Sequence, residues 1–118
     1  LVATDARRKE VYWAEYAVEQ GRPRRASGPG VAHAVDLPES TRALPAVGRG
    51  PLLYDALTRA GVDAPVDVHP GMLGAVAHRA LAAGEVPGEV PDGILLAPEP
   101  LYLRRPDAAV PGPPKVVP

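Results

Sequence analysis

The chain has 118 residues, enough for one domain that buries roughly two-thirds of the surface its unfolded form exposes. A net charge of −1 gives no global field to recruit nucleic acid or an anionic membrane, and the absence of Cys excludes disulfides, thiolate metal sites and cysteine nucleophiles. With 46% hydrophobic residues, no Phe, sixteen Pro and twelve Gly, the core must be a thin one of Ala, Val and Leu, and loops take a large share. No apolar run approaches a membrane span and no signal-peptide pattern occurs, so the expected compartment is the cytoplasm.

Residues 1–6 read as a short apolar strand, and because Leu1-Val2-Ala3 is already strand-like the chain is expected to be a piece of a longer one. After the charged turn Asp5-Ala6-Arg7-Arg8-Lys9, a second strand at 10–19 completes a hairpin. Of five aromatic side chains, Tyr12, Trp13 and Tyr16 fall within it, and with Tyr102 they are the expected structural anchors. Alternation sets Tyr12, Ala14, Tyr16 and Val18 on one face and Val11, Trp13, Glu15 and Ala17 on the other. Both faces are mostly apolar, which predicts a sheet covered on both sides by helices.

Gln20-Gly21 marks a turn. Arg22–Ser27 reads as a third strand, limited by Pro23 to an edge or a strand start. Gly28–Ala34 reads as a loop, Pro38–Arg42 as one helical turn, and Leu44–Val47 as a strand. A helix is expected at 51–60 with Gly61 as its cap, then a possible short strand at Val66–Val68. The clearest helix spans 70–83, from Pro70 to Gly84, with Met72, Leu73, Val76, Ala77, Ala80 and Leu81 on one side. Beyond it, only Ile94-Leu95-Leu96, Leu101 and Leu103 interrupt the turn residues of an extended tail, and 109–118 is a proline-rich end expected to be poorly ordered.

No chemical constellation stands out. Gly48-Arg49-Gly50 lacks the third glycine of a dinucleotide fingerprint, since position 53 is Leu, and reads as a tight strand-to-helix turn. His69 and His78 point to opposite sides of their helix and, with His33, offer no shared metal. Neither Ser27 nor Ser40 sits in a nucleophile elbow, and Glu10 and Glu15, five apart on a strand, face opposite ways. The basic clusters Arg7-Arg8-Lys9 and Arg22-Arg24-Arg25 lie roughly 30 Å apart along the second strand, and with Arg104-Arg105 they read as charged turns and edges.

Three ordered stretches carry a resemblance: residues 1–16 with the Asp-Ala-Arg turn followed by Glu-Val-Tyr, then Ala46-Val47-Gly48-Arg49-Gly50, and Pro100-Leu101-Tyr102-Leu103-Arg104-Arg105-Pro106-Asp107. Together they resemble the C-terminal lobe of the bacterial TsaB (YeaZ) family, once called glycoprotease or peptidase M22. The resemblance implies an α/β, RNase H-like lobe of the actin-like ATPase kind over residues 1–108, a mixed sheet with flanking helices and an extended C-terminal tail. It implies a non-catalytic part in the threonylcarbamoyl modification of tRNA adenosine 37, through TsaD-like and TsaE-like partners, with a homodimer also open. No cofactor, membrane contact or direct nucleic-acid contact is expected. The family's first-lobe motifs, Asp-Thr-Ser/Ala and Gly-Pro-Gly-Ser-Phe-Thr-Gly, are absent, which places the N-terminal lobe outside this chain. Asp5, Gly48 and Gly50 then mark vestigial nucleotide-loop positions, since Ala6 and Arg7 stand where a phosphate loop carries glycine. A peptidase of the M22 type and a direct tRNA-binding module are the alternatives.

Overall fold

The computed structural model describes residues 1–105; the proline-rich end and the Pro106-Asp107 close of the third motif lie outside the described residues. Strand β1 (Val2–Asp5) pairs antiparallel with β2 (Glu10–Glu19), which pairs antiparallel with β3 (Arg22–His33), so β2 is the central strand. Registers run from Val2 opposite Ala14 to Asp5 opposite Val11, and from Glu19 opposite Arg22 to Glu10 opposite His33, with irregular pairing around Glu15. A 3-10 turn (Ala34–Asp36) leads to the short helices α1 (Glu39–Arg42) and α2 (Gly50–Leu53), and finally to α3 (Pro70–Ala82).

β3 continues through Gly28–His33, where the composition predicts a loop. Pairing with β2 overrides the glycines, and Gly30 is used by Trp13: a β-carbon there would fall 2.9 Å from the Trp13 ring nitrogen. Pro23 is accommodated because β3 is an edge strand. That edge is held by the segment after α3, through Arg25 N–H to the Asp92 carbonyl at 3.0 Å and the Arg25 guanidinium to the Pro91 carbonyl at 3.1 Å. The segment after α3 thus ties down the sheet edge at Arg24 and Arg25.

The expected strand at Leu44–Val47 contracts to single parallel bridges, Val2 with Val47 and Ala46 with Arg59. The second of these also cuts the helix expected at 51–60 to one turn. Tyr54 turns extended at φ −133° and ψ 110°, and residues 58–60 bond to Ala46 instead, through Ala46 N–H to Thr58 at 2.7 Å and Ala60 N–H to Ala46 at 2.9 Å. Gly61 consequently caps nothing, and Val66–Val68 forms no strand. Helix α3 keeps its expected ends: Pro70 opens it, His69 Nδ1 accepts the Gly71 N–H at 3.2 Å, and Gly84 follows it at φ +86°.

The core lies on one face of the sheet. Ala3, Val11, Ala34, Leu37 and Leu57 are buried together, with Trp13, Ala32 and Tyr54 packed against them. Leu57 reaches this cluster because α2 ends early. Across the face, Thr41 Oγ1 donates to Glu15 at 2.5 Å and ties α1 to β2.

The other face is not covered as the alternation predicts. Tyr12 and Tyr16 are each 40% exposed and Val18 is 73% exposed, so of the expected hairpin anchors only Trp13 packs against the core. Tyr102, the fourth expected anchor, is 86% exposed. Helix α3 is the one long helix among the described residues, and only Ala80 of its apolar stripe is buried. Between it and the sheet lies an apolar groove of about 410 Å³, lined by Val2, Tyr16 and Pro23 on one side and Leu73, Val76 and Ala77 on the other.

Candidate functional site

The positions expected to be vestigial nucleotide loops, Asp5, Gly48 and Gly50, lie on or against β1. Gly48 holds φ +98°, and a β-carbon on it would lie 2.3 Å from the Ala3 carbonyl oxygen; one on Gly50 would lie 2.8 Å from the same oxygen. The space a side chain would need is therefore filled by β1 backbone, and both glycines serve the close approach of two chain segments. The contact is continued by Ala3 N–H to the Val47 carbonyl and Val47 N–H to the Leu1 carbonyl, both at 2.9 Å. Asp5, two residues along β1, is engaged in its own turn: its Oδ1 accepts the Arg7 N–H at 2.8 Å.

Arg49, between the two glycines, makes a two-pronged contact with Asp67 at 2.7 and 2.8 Å. The hydrogen bond to Arg49 holds the Asp67 carboxyl below its ordinary value, and the same bond raises the Arg49 guanidinium. The pair clips the segment after α2 to the strand-to-helix turn, which occupies Arg49 structurally.

The histidines are dispersed. His69 caps α3, His78 lies exposed on it, and His33 bonds through Nδ1 to the Lys9 carbonyl at 3.1 Å, an arrangement in which Nδ1–H is the donor. Among the described residues, no group of three His, Asp or Glu side chains is close enough to hold a metal ion.

The turn joining β1 to β2 is the most unusual local structure. Arg7, Arg8 and Lys9 follow one another at φ 62°, 55° and 64°, a left-handed conformation that costs non-glycine residues about 1–2 kcal/mol each. It is closed by Ala6 N–H to the Glu10 carbonyl at 3.0 Å and Glu10 N–H to the Arg7 carbonyl at 2.9 Å. The tail returns to this turn from 94 residues away: the Arg104 guanidinium donates to the Glu10 carboxylate and, at 2.9 Å, to the Ala6 carbonyl. Sequence spacing carries no sign of that meeting. Two basic clusters that read as separate are neighbours, while Arg22, Arg24 and Arg25 stay at the far end, where Arg24 lies 3.6 Å from Asp92.

No family model and no curated protein matches the chain. Among solved structures, it is similar to that of an uncharacterized protein from Pseudomonas aeruginosa described as similar to the peptidase YEAZ, with 29% sequence identity and a TM-score of 0.59. The likeness covers 87% of this chain and 48% of the other, so the chain spans about half the length of that relative. The fold is thus mixed α and β and similar to a YEAZ-like structure, with a three-stranded antiparallel sheet among the described residues. No helix among them is long and apolar enough to cross a membrane.

Proposed function

We propose that this chain is the C-terminal, RNase H-like lobe of a TsaB-like protein, cytoplasmic, with a non-catalytic role in forming N6-threonylcarbamoyladenosine at tRNA adenosine 37. The observation that carries the reading is the structural likeness to the YEAZ-like protein over 87% of the chain. The three ordered motifs at 1–16, 46–50 and 100–107 support it from the sequence side. Gly48 and Gly50 face β1 backbone, which favours a scaffold over a nucleotide site. TsaD-like and TsaE-like proteins are the partners this reading names.

Depletion of the protein in its host, followed by mass spectrometry of tRNA nucleosides, tests it. Threonylcarbamoyladenosine falls if the reading is right, and an unchanged level overturns it. The purified chain alone is expected to leave threonylcarbamoyl adenylate unconsumed. The second reading, a peptidase, draws on the description of the Pseudomonas protein. Peptide cleavage by the purified chain would establish it in place of the first.

A further inference from the structure

The open face of the sheet and the groove beside it form one surface, and the chain after α3 already measures its length. Val2 lies opposite Ala14 and Thr4 opposite Tyr12, and residues opposite each other in an antiparallel pair share a face. Glu10, two positions before Tyr12, therefore stands on that face as well. At one end is the groove of about 410 Å³ between the sheet and α3, lined by apolar side chains of which only Tyr16 carries a polar group. At the other end the Arg104 guanidinium is fastened to the Glu10 carboxylate and the Ala6 carbonyl. The chain makes this crossing once: Ile94 and Leu95 line the groove, and Arg104 follows nine residues after Leu95.

The sequence that follows is suited to a return along the same face. Residues 108–118 include four prolines, three valines and one charged side chain, Lys115. Missing amide donors disfavour a helix or a central strand, and such a composition favours the polyproline II form, with three residues per turn. At that period Pro113 and Val116 fall on one edge and Pro114 and Val117 on the next, while Gly112, Lys115 and Pro118 share the third. Two edges are apolar and the third carries the charge. A return as long as the outward step from Leu95 to Arg104 brings Pro113 to the groove, so both apolar edges arrive where Tyr16, Pro23, Leu73 and Val76 stand. Proline-rich segments dock on aromatic-lined grooves because their extended form is set in advance and little freedom is lost on binding. Tyr16, at the groove, and Tyr12, on the way to it, are each 40% exposed.

We propose that residues 113–117 of this chain occupy the groove between α3 and the sheet, as an intramolecular ligand that closes the second face. Tethering favours this occupant over a second copy of the chain. With Arg104 held on the same face, the segment is presented at an effective concentration of about a millimolar. A separate chain has to supply that concentration from solution. Entry also leaves the one charge, on Lys115, on the edge turned to water, so no ion is desolvated.

Because the chain has no Cys, Pro118→Cys gives a single attachment point for a nitroxide label, on the edge shared with Lys115. In amide NMR spectra of the labelled full chain, the signals of Tyr16, Leu73 and Val76 are expected to lose most of their intensity. Those of Leu37 and Leu57, on the closed face, are expected to keep theirs. Val116→Asp with Val117→Asp puts two charges on the docking edges without touching any described residue, and is expected to restore the lost signals. Leu73→Glu, at a position 62% exposed, is expected to do the same from the groove side. Undiminished Leu73 and Val76 signals in the labelled parent would overturn the proposal, as would broadening that survives the double Asp variant. Broadening passed to an unlabelled chain mixed with the labelled one would overturn it in favour of a second copy as the occupant.

Discussion

The two faces of the sheet are built from the same strands and treated in opposite ways. On one, Ala3, Val11, Ala34, Leu37 and Leu57 close over each other, and the segment at 46–50 presses against β1 with no side chain between. On the other, Val2, Tyr16 and Pro23 face a helix that stands off across a groove. The difference teaches that apolar alternation on both faces of a strand states what can be buried, while covering depends on a partner element of sufficient length in reach. Short α1 and α2 sit where their chain connections bring them onto the first face. Helix α3, with Met72 60% exposed and Leu73 62% exposed, leaves the second face partly open.

The sharpest way to break the contrast is Gly48→Ala. It introduces a β-carbon against the Ala3 carbonyl at a left-handed φ, and the expected loss is about 3 kcal/mol or more in urea unfolding. Retention of wild-type stability would show that the close approach at β1 is not what seats the first face. Next in size is a matched pair. Val11→Ala removes the largest fully buried side chain and is expected to cost about 2 kcal/mol. Val18→Ala on the open face should change stability by less than about 0.5 kcal/mol, and equal effects from the two would mean that both faces are covered in solution.

The smallest effect belongs to the Arg49–Asp67 clip, and it is a dependence on pH. Because the folded Asp67 carboxyl lies below 3.8, the pair's contribution is full above that pH and is lost as acid titrates through the folded value. Asp67→Asn should therefore alter the unfolding midpoint at neutral pH, with the gap between variant and parent closing in the acid limb. The gap should also shrink in high salt, since both side chains are well exposed. A gap of constant size across the acid limb would assign the clip to packing.

Much of the hairpin was legible in the residues. The strands at 1–6 and 10–19, the charged turn between them and the position of α3 follow from alternation, turn chemistry and capping, all of which act within a few positions. The same reasoning underestimated β3, because the glycines at 28 and 30 carry a strong local signal that cross-strand bonds to β2 outweigh. It overestimated the helix at 51–60 for the complementary reason: the apolar stripe is helical in spacing, but residues 58–60 gain bonds to Ala46 and Leu57 gains a place in the core. Of the candidate site, the sequence supplied Asp5, Gly48 and Gly50 as positions of interest. Their surroundings, backbone pressed on backbone, became visible only in three dimensions.

By itself, then, the sequence determined what local forces decide: where the chain turns, which face of each strand is apolar, where α3 begins and ends, and that no cysteine chemistry is available. The tertiary structure decided which apolar face is closed, which glycines are contact points, and that Arg104 returns to the Arg7–Lys9 turn. Those outcomes depend on hydrogen bonds and burial between segments tens of residues apart. Nothing in the spacing of either partner encodes them.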